Sequence, residues 1–345
     1  MRARPTLEKV AARAGVSRAT ASRVVNGSTR VAPEIREAVN RAVEELGYVP
    51  NQAARSLVTQ RTDSVALVFP EPATRVFSDD PTFAGIIRGV SMEIEQADKQ
   101  LVLMLTGTPG GYQRVERYAT NGHVDGVIIA SMHGTDPLPG LLSRRGVPVV
   151  CSGRPVLPGD LPYVDMDNLG GAERAVRHLL ERGRRRIATI SGPLDMIAGQ
   201  DRLTGYREVL RDSDRRSIIA VGDFTRESGA VAMRQLLADD PEIDAVFAAN
   251  DLMALGALRT LRDQRRRVPD DVAVVGFDDI PAASYAEPPL TTIRQPTVEM
   301  GRLLARMVLN PEETGQIVLP TELVVRGSTA SRPPASVTPR GCGGR

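Results

Sequence analysis

From residue 63 onward, short apolar runs alternate with amphipathic stretches, and this alternation limits the fold more than any other feature of the chain. Runs at 64–69 (SVALVF), 101–105 (LVLML), 125–130 (DGVIIA), 147–151 (VPVVC), 186–191 (RIATIS), 244–249 (DAVFAA) and 272–277 (VAVVGF) have strand length and are mostly apolar. Between them, 83–97, 170–182, 200–212, 227–238, 251–263 and 297–309 read as amphipathic helices. A strand that is apolar on both sides needs cover on both faces. Helical crossovers supply it, so the pattern predicts parallel sheets with helices on each side. The units are too many for one small sheet, and two α/β lobes are expected, divided near 160–168 (GDLPYVDMDN).

The first 47 residues follow a different rule. "TLEKVAARAG" places Leu7, Val10 and Ala14 on one face, with Thr6 as its expected N-cap. Gly15 supplies a tight turn, Val16 packs beneath it, and Ser17 opens a second short helix whose inner side carries Val24 and Val25. In "PEIREAVNRAVEELG", Pro33 suits a first helical position and Gly47 a left-handed stop, with Ile35, Val39, Ala42, Val43 and Leu46 on one stripe. The outside of the second helix mixes arginines with small polar residues: Arg18, Thr20, Ser22, Arg23 and Asn26. Such a surface suits a phosphate backbone. The segment Asn51–Val58 holds good helix formers for only two turns, too few for stability alone, so it should order only against a partner.

Charge sharpens this division. The net charge is +2, but residues 1–62 hold 11 of the 44 Lys and Arg and only 5 of the 42 Asp and Glu. A basic head on a mildly acidic body points to nucleic-acid binding confined to the head; a plain solvated Arg-rich surface is the alternative that charge alone leaves open. No apolar run is long enough for a membrane span. "MRARPTLEKV" lacks the apolar core of a secretory signal, and Cys151 and Cys342 lie far apart in unlike surroundings, so a reducing, cytoplasmic setting is expected. The three histidines show no metal-ligand spacing with the cysteines, and no cofactor is expected.

Several long motifs in order then resemble the lactose/galactose-repressor (LacI/GalR) family of bacterial transcription regulators: "TLEKVAARAGVSRATASRVVNG", "REAVNRAVEELGYVPNQAARSL", "FAANDLMALGALRTL", "VAVVGFDDIP" and "PPLTTIRQP". The resemblance covers all but the tail. It implies an all-α helix-turn-helix headpiece plus hinge helix, then a two-lobed α/β domain like a periplasmic binding protein, with parallel sheets. The expected boundaries are 1–50 for the head, 51–62 for the hinge helix and linker, 63–330 for effector binding and dimerisation, and 331–345 for a Pro/Gly/Ser-rich disordered tail. The N-lobe is expected at about 63–163 and 294–319, the C-lobe at about 164–293 and 320–330.

In the family's docking, the second helix enters the major groove. By resemblance Arg18, Ala19 and Arg23 read bases: arginine can donate in two prongs to a guanine, and Ala19 offers a methyl contact. Thr20, Ser22 and Asn26 would bind phosphates, as would Thr6, Ser17 and Arg30 more weakly; for Ser17, plain capping is an equal alternative. The family's hinge helix corresponds to Asn51–Val58. Paired across a homodimer, Leu57 would wedge into a minor-groove base step beside Ala54, while Asn51 and Arg55 touch backbone or groove edges. A buried linker role for Leu57 is the alternative.

Ligands of such sheets sit beyond the carboxyl ends of strands. There the sequence itself places Asn250-Asp251, Asp278-Asp279, Arg202 and Phe224, a set of acceptors, a donor and an aromatic face suited to a saccharide. Any one of the aspartates is as readily a helix cap. By resemblance Arg202, Asn250 and Asp278 are effector contacts, Phe224 the stacking aromatic, and Phe83 and Gln295 line the opposite lobe. Asp251 and Asp279 are expected to cap and support.

Four departures stand out. Ala21 replaces a common valine and Ala32 a common serine cap. "SGRP" stands where some sugar-responsive members carry aspartate, so Ser152 or Arg154 would substitute. The loop "PEPATRVFSDDPTF" is longer than the simplest family form, and its Glu71 can reach the cleft. The partners expected are double-stranded operator DNA, a small-molecule effector of saccharide type and a second copy of the chain, with no membrane. The favoured function is a repressor that binds a palindromic operator as a dimer and is released by a sugar or oligosaccharide in the inter-lobe cleft; a corepressed regulator of the same fold is the alternative. A transport solute-binding protein would need a signal sequence and no basic head. An enzyme would need a Gly-rich dinucleotide loop, P-loop, metal cluster or nucleophile elbow, none of which is found.

Overall fold

The computed structural model describes residues 5–28, 30–49, 61–78, 80–108, 110–156, 160–312 and 315–330. Asn51, Ala54, Arg55 and Leu57, and the tail from residue 331, lie outside the described residues. The chain divides into two compact units, one of residues up to Ser64 with Gly122–Asp125, the other of the remainder.

The first unit contains three helices, α1 (Leu7–Ala14), α2 (Arg18–Val25) and α3 (Pro33–Leu46). Gly15 ends α1 at φ 68°, a left-handed turn that suits glycine, and the Val16 N–H closes it onto the Ala11 carbonyl at 3.0 Å. The Ser17 hydroxyl caps α2 by accepting from the Thr20 N–H at 3.1 Å. Thr6 occupies the N-cap position of α1, but its side chain makes no cap bond. Val10, Ala11, Ala21, Val24, Val31, Val39 and Ala42 form the buried core, so Ala21 is a true core position. Ile35, expected on the inner stripe of α3, lies 36% exposed.

The second unit carries two parallel sheets. In the first, β1 (Ser64–Phe69), β2 (Gln100–Leu105), β3 (Gly126–Ala130), β4 (Val149–Ser152), β5 (Tyr163–Met166) and β11 (Gln316–Leu319) run in the order β11-β5-β4-β3-β1-β2. In the second, β6 (Ile187–Ser191), β7 (Ile218–Val221), β8 (Ala245–Ala248) and β9 (Ala273–Val275) run in the order β7-β6-β8-β9. A two-stranded antiparallel ribbon of β10 (Thr292–Arg294) and β12 (Glu322–Val324) completes the strands. The expected break near 160–168 contains β5, which pairs with β4 and β11 in the first sheet.

Helices α4 (Ala73–Val76), α5 (Pro81–Gln96), α6 (Gly111–Thr120), α7 (Leu138–Arg144) and α13 (Thr297–Leu309) accompany the first sheet. Helices α8 (Asn168–Glu181), α9 (Ile197–Asp212), α10 (Arg226–Asp239), α11 (Asp251–Asp263) and α12 (Pro281–Ser284) accompany the second. Each sheet is packed on apolar clusters: one around Leu67, Phe69, Val90, Ile128 and Leu304, and two around Ile190, Val246, Val274 and Tyr206, Phe247, Phe277. Burying each such side chain stabilises the fold by about 1.5–3 kcal/mol. Among the described residues, no helix is long and apolar enough to cross a membrane.

Candidate functional site

On α2 the buried residues Ala21 and Val24 set the inner face, and helical spacing then turns Arg18, Ala19, Ser22, Arg23 and Asn26 outward. Arg18, Ala19, Arg23 and Asn26 are exposed, as are Thr6, Ser17 and Arg30, while Thr20 and Ser22 are half-buried. The small polar residues hold one another: Ser17 and Thr20 hydroxyls lie 2.8 Å apart, and Asn26 Nδ2 donates to Ser22 Oγ at 3.3 Å. Arg18 Nε reaches Glu8 Oε1 at 2.8 Å while its side chain stays 71% exposed. The Glu8 carboxyl is held below its usual range by its own backbone N–H, the Thr6 hydroxyl and Arg18. Sequence reading did not single out Glu8, which lies one helix away from the arginine it meets.

In the second unit, the carboxyl ends of both sheets open onto one cleft. Phe83, Arg202, Phe224, Asn250, Asp278 and Gln295 all line it. Arg202, on the first turns of α9, is 5% exposed and carries the densest set of contacts. Its Nε donates to Asn168 Oδ1 at 2.9 Å and its Nη1 to the Ala249 carbonyl at 2.6 Å, with Asp278 Oδ1 3.6 Å away. Its guanidinium carbon stands 3.8 Å from the Phe277 ring centroid and 5.8 Å from that of Phe224, within cation–π range.

Asp278 follows β9 and accepts from Nε2 of Gln295, the residue directly after β10. Burial pushes the Asp278 carboxyl well above its ordinary value; Arg202 opposes that, and Asp80 and Asp251 add to it. Asn250 caps α11 through Oδ1, which accepts from the Met253 N–H at 2.9 Å, and its Nδ2 donates to the Phe224 carbonyl at 3.0 Å. One lone pair and one N–H of that amide are left over. Phe224, Asp278 and Asp279 are non-glycine residues at φ 68°, 116° and 58°. Backbone held there costs about 1–3 kcal/mol each and persists where the surroundings over-determine it, as at ligand clamps.

Several cleft residues differ from expectation. Asp251 is not the cap of α11: Asn250 is. Asp251 is fully buried and supports the 276–280 turn, accepting from the Ile280 N–H at 2.9 Å and Thr292 Oγ1 at 2.6 Å. Burial raises its carboxyl to about 7. Asp279 is held by Arg294 Nε at 2.8 Å and Arg326 Nη2 at 2.6 Å. At "SGRP", Ser152 lines the cleft, whereas Arg154 grips Asp201 of α9 with two bonds of 2.9 Å. Glu71 is buried behind the cleft wall, accepting from Ser131 Oγ at 2.7 Å and lying 3.0 Å from His133 Nε2.

Residues that the sequence reading missed include Asp165 and Asn168, at the end of β5. Asp165 accepts from the Met166 and Arg154 N–H groups and from Asn168 Nδ2, which in turn leaves Asn168 Oδ1 aimed at Arg202. Recognising "YVDM" as a strand would have placed both at a strand end. Among the described residues, no cluster of His, Cys, Asp and Glu is arranged to hold a metal ion.

A helix-turn-helix unit with an arginine-bearing outer face, joined in one chain to a two-lobed clamp, defines a ligand-responsive DNA-binding regulator. The chain belongs to the lacI family of bacterial regulatory proteins and is a transcriptional regulator: the family's model matches residues 6–51, and a periplasmic binding protein-like domain matches 176–329. It is 52% identical to the HTH-type transcriptional regulator CelR of Thermobifida fusca over 338 residues, covering 95% of this chain and 99% of that one. A solved complex of the transcriptional regulator CelR with cellobiose aligns with TM-score 0.75 at 50% identity, covering 94% of this chain and 100% of that one. The lac repressor dimer bound to operator and the anti-inducer ONPF aligns with TM-score 0.82 at 28% identity, covering 95% and 100%.

Proposed function

We propose that this regulator is a cytoplasmic repressor that binds a palindromic operator as a homodimer and is released by a saccharide held in the cleft, with a glucose disaccharide of the cellobiose type as effector. The observation that carries the reading is the convergence of Arg202, Asn250, Asp278, Gln295, Phe224 and Phe83 on one cleft. A carboxylate and two amides accept from sugar hydroxyls, an arginine and the amides donate, and a phenyl face covers the apolar side of a pyranose ring. The CelR–cellobiose complex, at 50% identity, supports the choice of sugar.

In this reading Arg18 and Arg23 donate to base edges, with Ala19 making an apolar contact. Thr20, Ser22, Asn26, Thr6, Ser17 and Arg30 meet the phosphate backbone and fix register. Asn51, Ala54, Arg55 and Leu57 form the minor-groove hinge, with Leu57 as the wedge. The sugar acts by binding one arrangement of the two lobes better than the other; without such a difference it shifts nothing. The test is a mobility shift of DNA from upstream of the protein's own coding region, repeated with a panel of sugars. Cellobiose should abolish the shift. A shift that cellobiose strengthens would make the sugar a corepressor, and one that no sugar alters would refute the cleft as an effector site.

A further inference from the structure

The loop "PEPATRVFSDDPTF", longer than a simple strand-to-helix connection, is not accounted for by the cleft alone. It places α4 and the start of α5 beside the loop that leads into α10, and a second cavity lies between them. The two cavities meet: Arg75, Asp80 and Phe224 line both. Arg75 marks the boundary, with Nη1 donating to the Asp223 carbonyl at 3.1 Å and Nε 3.5 Å from Glu71 Oε1. Beyond it the cavity is lined by Thr74, Ser78, Thr225, Arg226 and Glu227, with Leu252 beside them. Among the described residues, the Arg226 and Glu227 side chains make no ion pair or side-chain hydrogen bond, so both keep their capacity for a ligand's hydroxyls. Polar side chains beside the Phe224 ring and Leu252 suit a partner that is apolar on one face and hydroxylated at its edge, which describes a pyranose.

We propose that this second cavity is a subsite for further sugar units, so that the preferred effector is a neutral oligosaccharide of at least three units whose chain runs past Arg75 and Phe224. The inference rests on the saccharide reading of the cleft. Leu252 and the shared Phe224 ring cover the apolar side of the added unit, while Thr74, Ser78, Arg226 and Glu227 exchange hydrogen bonds with its hydroxyls.

The experiment is calorimetric titration of the full-length protein with cellobiose, cellotriose and cellotetraose. The trisaccharide should bind about tenfold tighter than the disaccharide, the scale of one stacked ring with its hydrogen bonds. Arg226→Ala and Glu227→Ala should each shrink that ratio towards one and leave cellobiose affinity unchanged. Equal or weaker binding of cellotriose by the unmodified protein would overturn the subsite while leaving the cleft intact. So would variants that leave the ratio unaltered, or that weaken both sugars alike. If cellobiose itself does not bind, the cleft reading fails and the subsite falls with it.

Discussion

Arg18 and Arg202 show how differently one residue type can be set up. Arg18 lies in solvent, lightly held by Glu8 at 2.8 Å. An exposed pair of this kind is largely screened by solvent, so DNA displaces it at little cost. Arg18→Ala should weaken specific operator binding by about 1–3 kcal/mol and relax the preference at one base pair per half-site; competition binding with operator variants checks this. Arg202 is buried and supports Asn168, the Ala249 carbonyl and Asp278 at once. Arg202→Ala should abolish the response to sugar and also lower the unfolding midpoint, since it strands a buried carboxyl, an amide oxygen and a carbonyl. A variant that kept the sugar response would place the effector elsewhere. Asn250 and Asp278 were legible in the sequence because each directly follows a strongly apolar run. Asp165 and Asn168 were not, because β5 carries a buried aspartate whose compensating N–H donors fold around it from Met166, Arg154 and Asn168.

Elements were legible where burial dominates their composition. β3 and β8 are buried at every position and read plainly as strands. β7, β11 and β12 are short and partly exposed, so their patterns resemble loop. Contacts between elements were least visible. α5 and α13 cross at Gly89 and Gly301, where a Cβ on Gly89 would stand 2.0 Å from the Val298 carbonyl oxygen. Gly89→Ala should push the helices apart and cost about 1–3 kcal/mol, read from denaturant unfolding.

The ends of β1 and β3 meet the loop into α9 through His133, 3.0 Å from Glu71 and 2.9 Å from Asp195. Arg75 and Asp136 are the other charges nearby. Glu71 first, then Asp195, raise the His133 pKa above 6.5 against its partial burial. A raised imidazole favours the joined arrangement fully below 6.5 and stops favouring it as pH rises through its raised pKa. If this contact belongs to the sugar-bound arrangement, cellobiose affinity should fall as pH rises above about 6.5, and His133→Gln should flatten the dependence in calorimetry.

At the scale of the whole molecule, the two-part plan was readable from the change of hydrophobic period at residue 63 and from the charge concentrated before it. The lobe division was less so, because the chain returns to the first sheet through β11 after finishing all four strands of the second. Such crossings let a ligand between the lobes bear on both. The central claim is that sugar in the cleft and DNA on the head compete through one equilibrium. Binding linkage makes this testable in both directions: the factor by which one ligand weakens the other must be the same either way. The deciding measurement is a pair of titrations on the full-length protein, operator affinity with and without saturating cellobiose, and cellobiose affinity with and without saturating operator. The account predicts a matching loss in both, about tenfold or more on the usual scale of such coupling. Cellobiose affinity that is the same with operator bound and without it would contradict the account.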